Sequence, residues 1–376
     1  MTDNIIPQPW DETRGAISAN GPIGPFGLIG LSALVGLFAL AACSNEAIEE
    51  EQEPAPVEQL IPIAFSAQQG EEAAVTRSES SFSGVATTFT VYGYKNPATG
   101  SDPQTVFDGF AVEWQAGSAN TTTSNSSGWE YVGKGTDQTI KYWDWSVVAY
   151  RFFAVAVPSG VSGAYGATVA TGTTAATATL GADATEEAKT PYYTHLWYST
   201  GVPPTYSDRQ FGQPVKLVFL KPFAKVRFLF TYMRPEDASS TTLSDKSFSP
   251  TDNTKVIARK GTFTATYPLT GSTTTESWAV SSIDNSTALS AFTNDNYEYT
   301  VLPVTGQGTY TLSVSVNGGT PQSCVVPADY MEWLPGYQYT YIFKISAEGG
   351  VELGMVNTAY TDWENAESAD YSVYNW

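Results

Sequence analysis

Beyond residue 60, apolar and polar positions alternate with a period of two. Phe89, Val91 and Gly93 alternate with Thr88, Thr90, Tyr92 and Tyr94, as a strand does when one face is buried and the other wet. Val215, Leu217 and Phe219 repeat the pattern, followed by Ala224, Val226, Phe228 and Phe230. Leu312, Val314 and Val316 run into Asn317-Gly318-Gly319, a hairpin-turn signal with a return strand at Cys324 to Val326. Tyr339, Tyr341, Phe343 and Ile345 close the series. No window of a dozen residues carries an apolar stripe at helical spacing. The pattern predicts an all-β protein with little helix, built as sandwiches of short strands. Phe89, Val91, Leu217, Phe219, Val226, Phe228, Tyr341 and Phe343 are its expected core.

Length then suggests how many sandwiches. The 376 residues suit two folded units plus extensions, expected at 60–233 and 234–376. Stretches rich in Ser, Thr and Asn at 116–128 and 239–254 read as long surface loops. The Ala- and Thr-rich stretch 165–182 reads as a further loop or an edge hairpin. Composition narrows the function. Aromatic residues make up 13% and charged residues 15%, enough apolar surface to exclude global disorder. The formal net charge of −20 argues against nucleic acid or an anionic lipid surface as partner. One histidine, His195, and two cysteines leave no familiar His-dependent or metal chemistry, so no cofactor and no metal site is expected.

The N-terminal stretch carries an address. Residues 26–42 are strongly apolar and end in Leu40-Ala41-Ala42-Cys43, which resembles the bacterial lipobox. Residues 1–42 then read as a signal peptide and Cys43 as the lipidated residue that holds the chain to the outer membrane. A membrane helix with an incidental cysteine is the competing reading, disfavoured by the short apolar length. The leading residues hold Asp3, Asp11 and Glu12 against Arg14, unlike a normal positive n-region, which leaves the natural start open. Residues 43–59 are acidic and Pro-containing, a solvated tether similar to the surface-export signal of Bacteroidetes lipoproteins. With Cys43 acylated, Cys324 has no disulfide partner and reads as a buried, inert thiol.

Several blocks together resemble one family. Ile61-Pro62-Ile63-Ala64-Phe65-Ser66, Thr76-Arg77 and Phe89-Thr90-Val91-Tyr92-Gly93-Tyr94 are similar to the opening of Mfa-like fimbrillins, the type V pilus subunits of Bacteroidales. Lys141-Tyr142-Trp143 with the strand from Phe152 to Pro158 resembles a further block. So do Phe223-Ala224-Lys225-Val226, Trp333-Leu334-Pro335-Gly336-Tyr337 and Thr361-Asp362-Trp363. Lys221 stands near the place where the family usually carries His. The resemblance implies two transthyretin-like β-sandwich domains and a non-enzymatic role in cell adhesion. It also implies a maturation route. A trypsin-like protease cuts after an arginine, the first strand is lost, and a strand from another pilin subunit fills the groove.

The residues permit that route. Arg77, followed by Ser78, lies in a polar segment and is the one basic residue between Cys43 and Lys95. An ordinary loop arginine is the alternative. The strand expected to be displaced carries Ile61, Ile63 and Phe65 on one face, with Pro62 suited to a sheet edge. The implied partners are other pilin subunits, with this chain itself among the candidates, the protease, and outer-membrane lipid through Cys43. The adhesion ligand, host or bacterial, and the stalk or tip position stay open.

Two other classes compete. A surface glycan-binding lipoprotein would use an aromatic platform, for which Trp114, Trp129, Trp143, Trp145 and Trp197 are candidates. An enzyme would need paired carboxylates such as Glu186-Glu187 or Asp362 and Glu364, a weak signal in an acidic chain. His195 reads as structural, and Asn294-Asp295-Asn296 lacks calcium-loop spacing.

Overall fold

The computed structural model describes residues 60–69, 82–97, 102–115, 128–158, 161, 166–200, 214–251, 257–271, 275–287, 298–305 and 308–360. The chain divides into Met1–Val57 and Glu58–Trp376, and everything below concerns the second unit. Cys43, Arg77, Ser78 and Trp363 lie outside the described residues.

The described chain is a succession of strands. The first ten are β1 (Phe65–Gln69), β2 (Thr88–Pro97), β3 (Gln104–Trp114), β4 (Trp129–Glu130), β5 (Val147–Ala156), β6 (Ala167–Thr171), β7 (Ala175–Asp183), β8 (Tyr192–Thr194), β9 (Trp197–Thr200) and β10 (Val215–Leu220). Then come β11 (Ala224–Tyr232), β12 (Leu243–Pro250), β13 (Lys260–Pro268), β14 (Ser277–Ser281), β15 (Glu298–Val301), β16 (Tyr310–Val316), β17 (Gln322–Val326), β18 (Tyr337–Ile345) and β19 (Val351–Tyr360). The helical pieces among the described residues are short 3-10 turns.

Eight strands form one sheet in the order β2-β3-β4-β1-β10-β8-β5-β9, and an additional β2–β5 pairing closes it on itself. Closure follows from β5, which has a partner along each edge. Its side chains divide by parity. Tyr150, Phe152, Ala154 and Ala156 point into the closed sheet, whereas Phe153 and Val155 point outward into a second core. A strand buried on both faces reads as a near-continuous apolar run, as Val147 to Ala156 does but for Arg151.

The second core is covered by the sheet β14-β13-β7-β6. Ala176, Ala178, Leu180 and Ala182 of β7 face inward beside Phe263, Ala265 and Tyr267 of β13. The Tyr267 ring stacks on Phe153 at 4.1 Å. The Ala- and Thr-rich stretch therefore holds more than an edge hairpin: β7 is paired on both sides, by β6 and by β13. Small alanines alternate with threonines there, and the alternation seats one face in the core.

A sandwich completes the unit. The sheets β15-β11-β18-β19 and β12-β16-β17 enclose Val226, Phe228, Phe248, Leu312, Trp333, Tyr341 and Phe343. Asn317 and Gly318 both take positive φ in the β16–β17 turn, as the sequence signal requires. All eight expected core residues are buried. The expected loop at 239–254 is corrected: β12 lies within it, paired with β16, and its Phe248 is buried. Cys324 is half-buried, with burial raising its thiol pKa. β11 pairs with β18 and β13 pairs with β7, so strand pairings cross position 234.

Candidate functional site

The first strand is seated in the interior of the closed sheet. On one flank β1 runs parallel to β10, with Phe65 opposite Val215 and Gln69 opposite Phe219. The Val215 N–H donates to the Ala64 carbonyl at 2.7 Å, which sets the register. On the other flank Phe65 pairs antiparallel with Trp129, and Pro62 bridges Tyr142. There the Ile63 N–H donates to the Lys141 carbonyl at 2.8 Å, and the Trp143 N–H donates to the Ile61 carbonyl at 2.9 Å.

Pro62 was expected at a sheet edge, and the interior position corrects that expectation. Both bonds on the Tyr142 flank use Ile61 and Ile63, so the nitrogen that Pro62 lacks as a donor belongs to neither. The first β10 bond begins only at Ala64. Proline thus occupies a position where a missing N–H breaks none of these bonds.

The side chains complete the seat. Ile63 and Phe65 are 0% exposed, and Ile61 packs against the same core. Phe65 is enclosed by four rings: Phe107 at 5.1 Å, Tyr131 at 5.9 Å, Phe152 at 6.0 Å and Phe89 at 6.5 Å, all edge-on. Edge-to-face contacts of this kind match the positive edge of one ring with the negative face of another. Nearby, Phe82 stacks on Phe219 of β10 at 4.0 Å.

Tyr131 ties backbone to side chains. Its hydroxyl accepts the Lys141 N–H at 3.0 Å and donates to the Ile63 carbonyl at 3.0 Å. Burial pushes its phenol well above the ordinary tyrosine value, so the proton stays available to donate. Tyr131 and Phe107 were not singled out from the sequence, where Phe152 figured only as the start of a family-like strand. Trp129-Glu130-Tyr131 alternates, but over too few residues to register as a strand.

The expected sites separate cleanly. Ile61, Ile63 and Phe65 are brought together as described, whereas Cys43, Arg77 and Ser78 lie outside the described residues. Of the aromatic-platform candidates, Trp129 and Trp143 are buried core residues. Trp114 and Trp145 pack against that core, so these four form no open platform. His195 pairs through Nδ1 with Glu276. Lys221, in the β10–β11 connection, is buried over the Tyr192 ring at 4.0 Å and donates to the carbonyls of Glu187 and Thr190.

Fold and site together define a class: an all-β sandwich protein whose N-terminal segment is a core strand held by two non-contiguous parts of the chain. The fimbrillin-like family matches residues 76–363, and the chain belongs to that family. No curated protein matches the chain. Among solved structures it is similar to a fimbrial protein from Bacteroides vulgatus, at 12% identity and TM-score 0.41, covering 80% of this chain and 99% of that one. A fimbrial assembly protein from Parabacteroides distasonis is similar at 12% identity and TM-score 0.37, with 78% and 98% covered. A protein from Bacteroides thetaiotaomicron described as a putative polysaccharide binding protein is similar at 13% identity and TM-score 0.31, with 81% and 99% covered.

Proposed function

We propose that this chain is a subunit of a cell-surface fimbrium with a role in adhesion, a structural protein and not an enzyme. It is made as a lipoprotein precursor anchored in the outer membrane through Cys43. A trypsin-like protease cuts between Arg77 and Ser78, and the segment bearing Ile61, Ile63 and Phe65 leaves. A strand of another pilin subunit takes the vacated seat between β10 and the β4 flank. Losing an interior strand bares two rows of backbone groups and an apolar trough, and a donated strand restores both. The junction between the two sandwiches falls, in this reading, at Lys221-Pro222-Phe223 instead of at position 234, because β11 packs in the core of the sandwich it forms with β15, β18 and β19.

One observation carries the reading. The first strand is buried to 0% at Ile63 and Phe65 and bonded on both flanks, yet it precedes the family-matched region and joins it through residues 70–81, which contain Arg77. The test is trypsin treatment of the purified precursor, with mass and oligomer size read together, for the natural chain and for Arg77→Ala. A single cut after Arg77 followed by higher oligomers is expected, with the variant folded but uncut and monomeric. Polymerisation of the variant at the natural rate would overturn the maturation route.

A further inference from the structure

The seat has a register, a direction and one position of exceptional side-chain selectivity. Register and direction come from β10, whose Val215 N–H takes the carbonyl of the residue before Phe65. The parallel pairing then continues from Phe65 to Gln69. Selectivity comes from the four rings around Phe65. None of them stacks on it; each meets it at an interplanar angle between 68° and 89°. An aliphatic side chain could fill part of that volume but has no ring to present to those edges and faces.

The box also depends on Gly93. A Cβ there would lie 2.7 Å from the Phe107 ring and 2.9 Å from the Phe152 ring. The absent side chain is what lets both rings close on Phe65. Two residues before the anchor, the Tyr131 hydroxyl holds the Ile63 carbonyl. A carbonyl is common to every residue type, so this contact reads the backbone of an occupant and not its sequence.

We infer that the seat is an aromatic-anchor site. Any strand that succeeds β1 runs parallel to β10 and places an aromatic side chain in the box of Phe89, Phe107, Tyr131 and Phe152. Its carbonyl two residues earlier is held by Tyr131. The partner is thus an extended segment with an aromatic residue preceded at alternate positions by aliphatic ones, and Tyr131 is a positioning residue common to all such partners. This inference rests on the strand-replacement reading above and specifies what that reading leaves open, the chemistry of the incoming strand.

The test uses the full chain cut after Arg77 and three labelled peptides. One has the sequence of residues 60–69; the others carry Leu or Ala at the position of Phe65. Binding is read by anisotropy, with displacement of the natural segment followed by mass. The Ala peptide should bind about 100-fold more weakly than the natural one, and the Leu peptide about 10-fold more weakly. Tyr131→Phe should weaken all three by a similar factor, about 5- to 10-fold, and leave their ranking intact. Equal binding of the three peptides would overturn the anchor. So would polymerisation of the cut chain with no peptide binding, or a Tyr131→Phe effect confined to one peptide. Selective binding by a cut chain that never polymerises would uphold the anchor and overturn the assembly reading instead.

Discussion

Nδ1 of His195 lies 2.5 Å from Oε1 of Glu276, and the second carboxylate oxygen of Glu276 accepts the Leu196 N–H at 3.2 Å. One acidic side chain just before β14 thus fastens the covering sheet to the β8–β9 turn of the closed sheet. Arg151 of β5 works alongside it, donating to the carbonyls of Pro268 and Gly271 in the same β13–β14 connection. The chain's single histidine thus helps fasten the covering sheet to the closed sheet.

That pair has an acid signature. Burial opposes ionisation of Glu276, but the hydrogen bond and charge of His195 and the Leu196 N–H outweigh it and hold the carboxyl below its ordinary value of 4.5. A depressed carboxyl contributes stability that is present above pH 4.5 and lost as pH falls through the folded value. Glu276→Gln should therefore cost about 1–2 kcal/mol at neutral pH, discounted for the partly exposed histidine, and should flatten the acid limb. Denaturant titrations at a series of pH values check this; an unchanged acid limb would count against it.

Lys221 gives the opposite limb. Burial lowers its amine from the ordinary 10.5 to about 7, only partly offset by the charge of Glu187. Between those values the unfolded chain holds a proton that the folded chain lacks, so stability rises with pH, by up to about 1.4 kcal/mol per unit. Below pH 7 the full cost of burying the charge applies. Lys221→Met should remove this slope between about pH 7.5 and 9.5. An identical slope in the variant would show that other groups produce it.

Gly93→Ala should destabilise by about 1–3 kcal/mol, since the new methyl must displace Phe107 or Phe152 in a filled core. The loss should appear as a lower denaturation midpoint with an unchanged m-value. A neutral result would mean that the rings relax at little cost.

In the second sandwich, the Trp333 indole N–H donates to the Tyr341 hydroxyl at 2.8 Å, which donates in turn to the Tyr330 carbonyl. Both side chains are wholly buried. Tyr341→Phe leaves a buried donor and a carbonyl without partners and should cost about 1–3 kcal/mol. Because Tyr341 lies in the core of this sandwich, apart from the residues around Phe65, the first-strand peptide binding should be unaffected, which the same anisotropy assay checks.

Period-two alternation determined which segments are strands and which of their residues are core, because side-chain direction along a strand is a local property. That is why Phe89, Leu217, Phe228 and Tyr341 could be placed in the core from their neighbours alone. The family, too, was legible in short blocks whose order the chain preserves. Where local signal fades, so did the reading. β12 offers only Leu243 and Phe248 as apolar residues, and β7 uses alanine where a larger residue would have declared a core face.

What tertiary structure alone decided is who lies beside whom. Nothing near Ile61 to Phe65 in the chain states that this segment is inserted between β10 and the β4 flank, or that Pro62 sits where no bond is lost. The partners Val215, Lys141 and Tyr131 are remote in sequence, and ladder pairing between remote segments leaves no periodic trace in either one. The ring box around Phe65 likewise draws on β2, β3, β5 and the residue after β4. Sequence alone determined that the first strand has an apolar face. The fold alone determined that this face plugs the middle of a closed sheet.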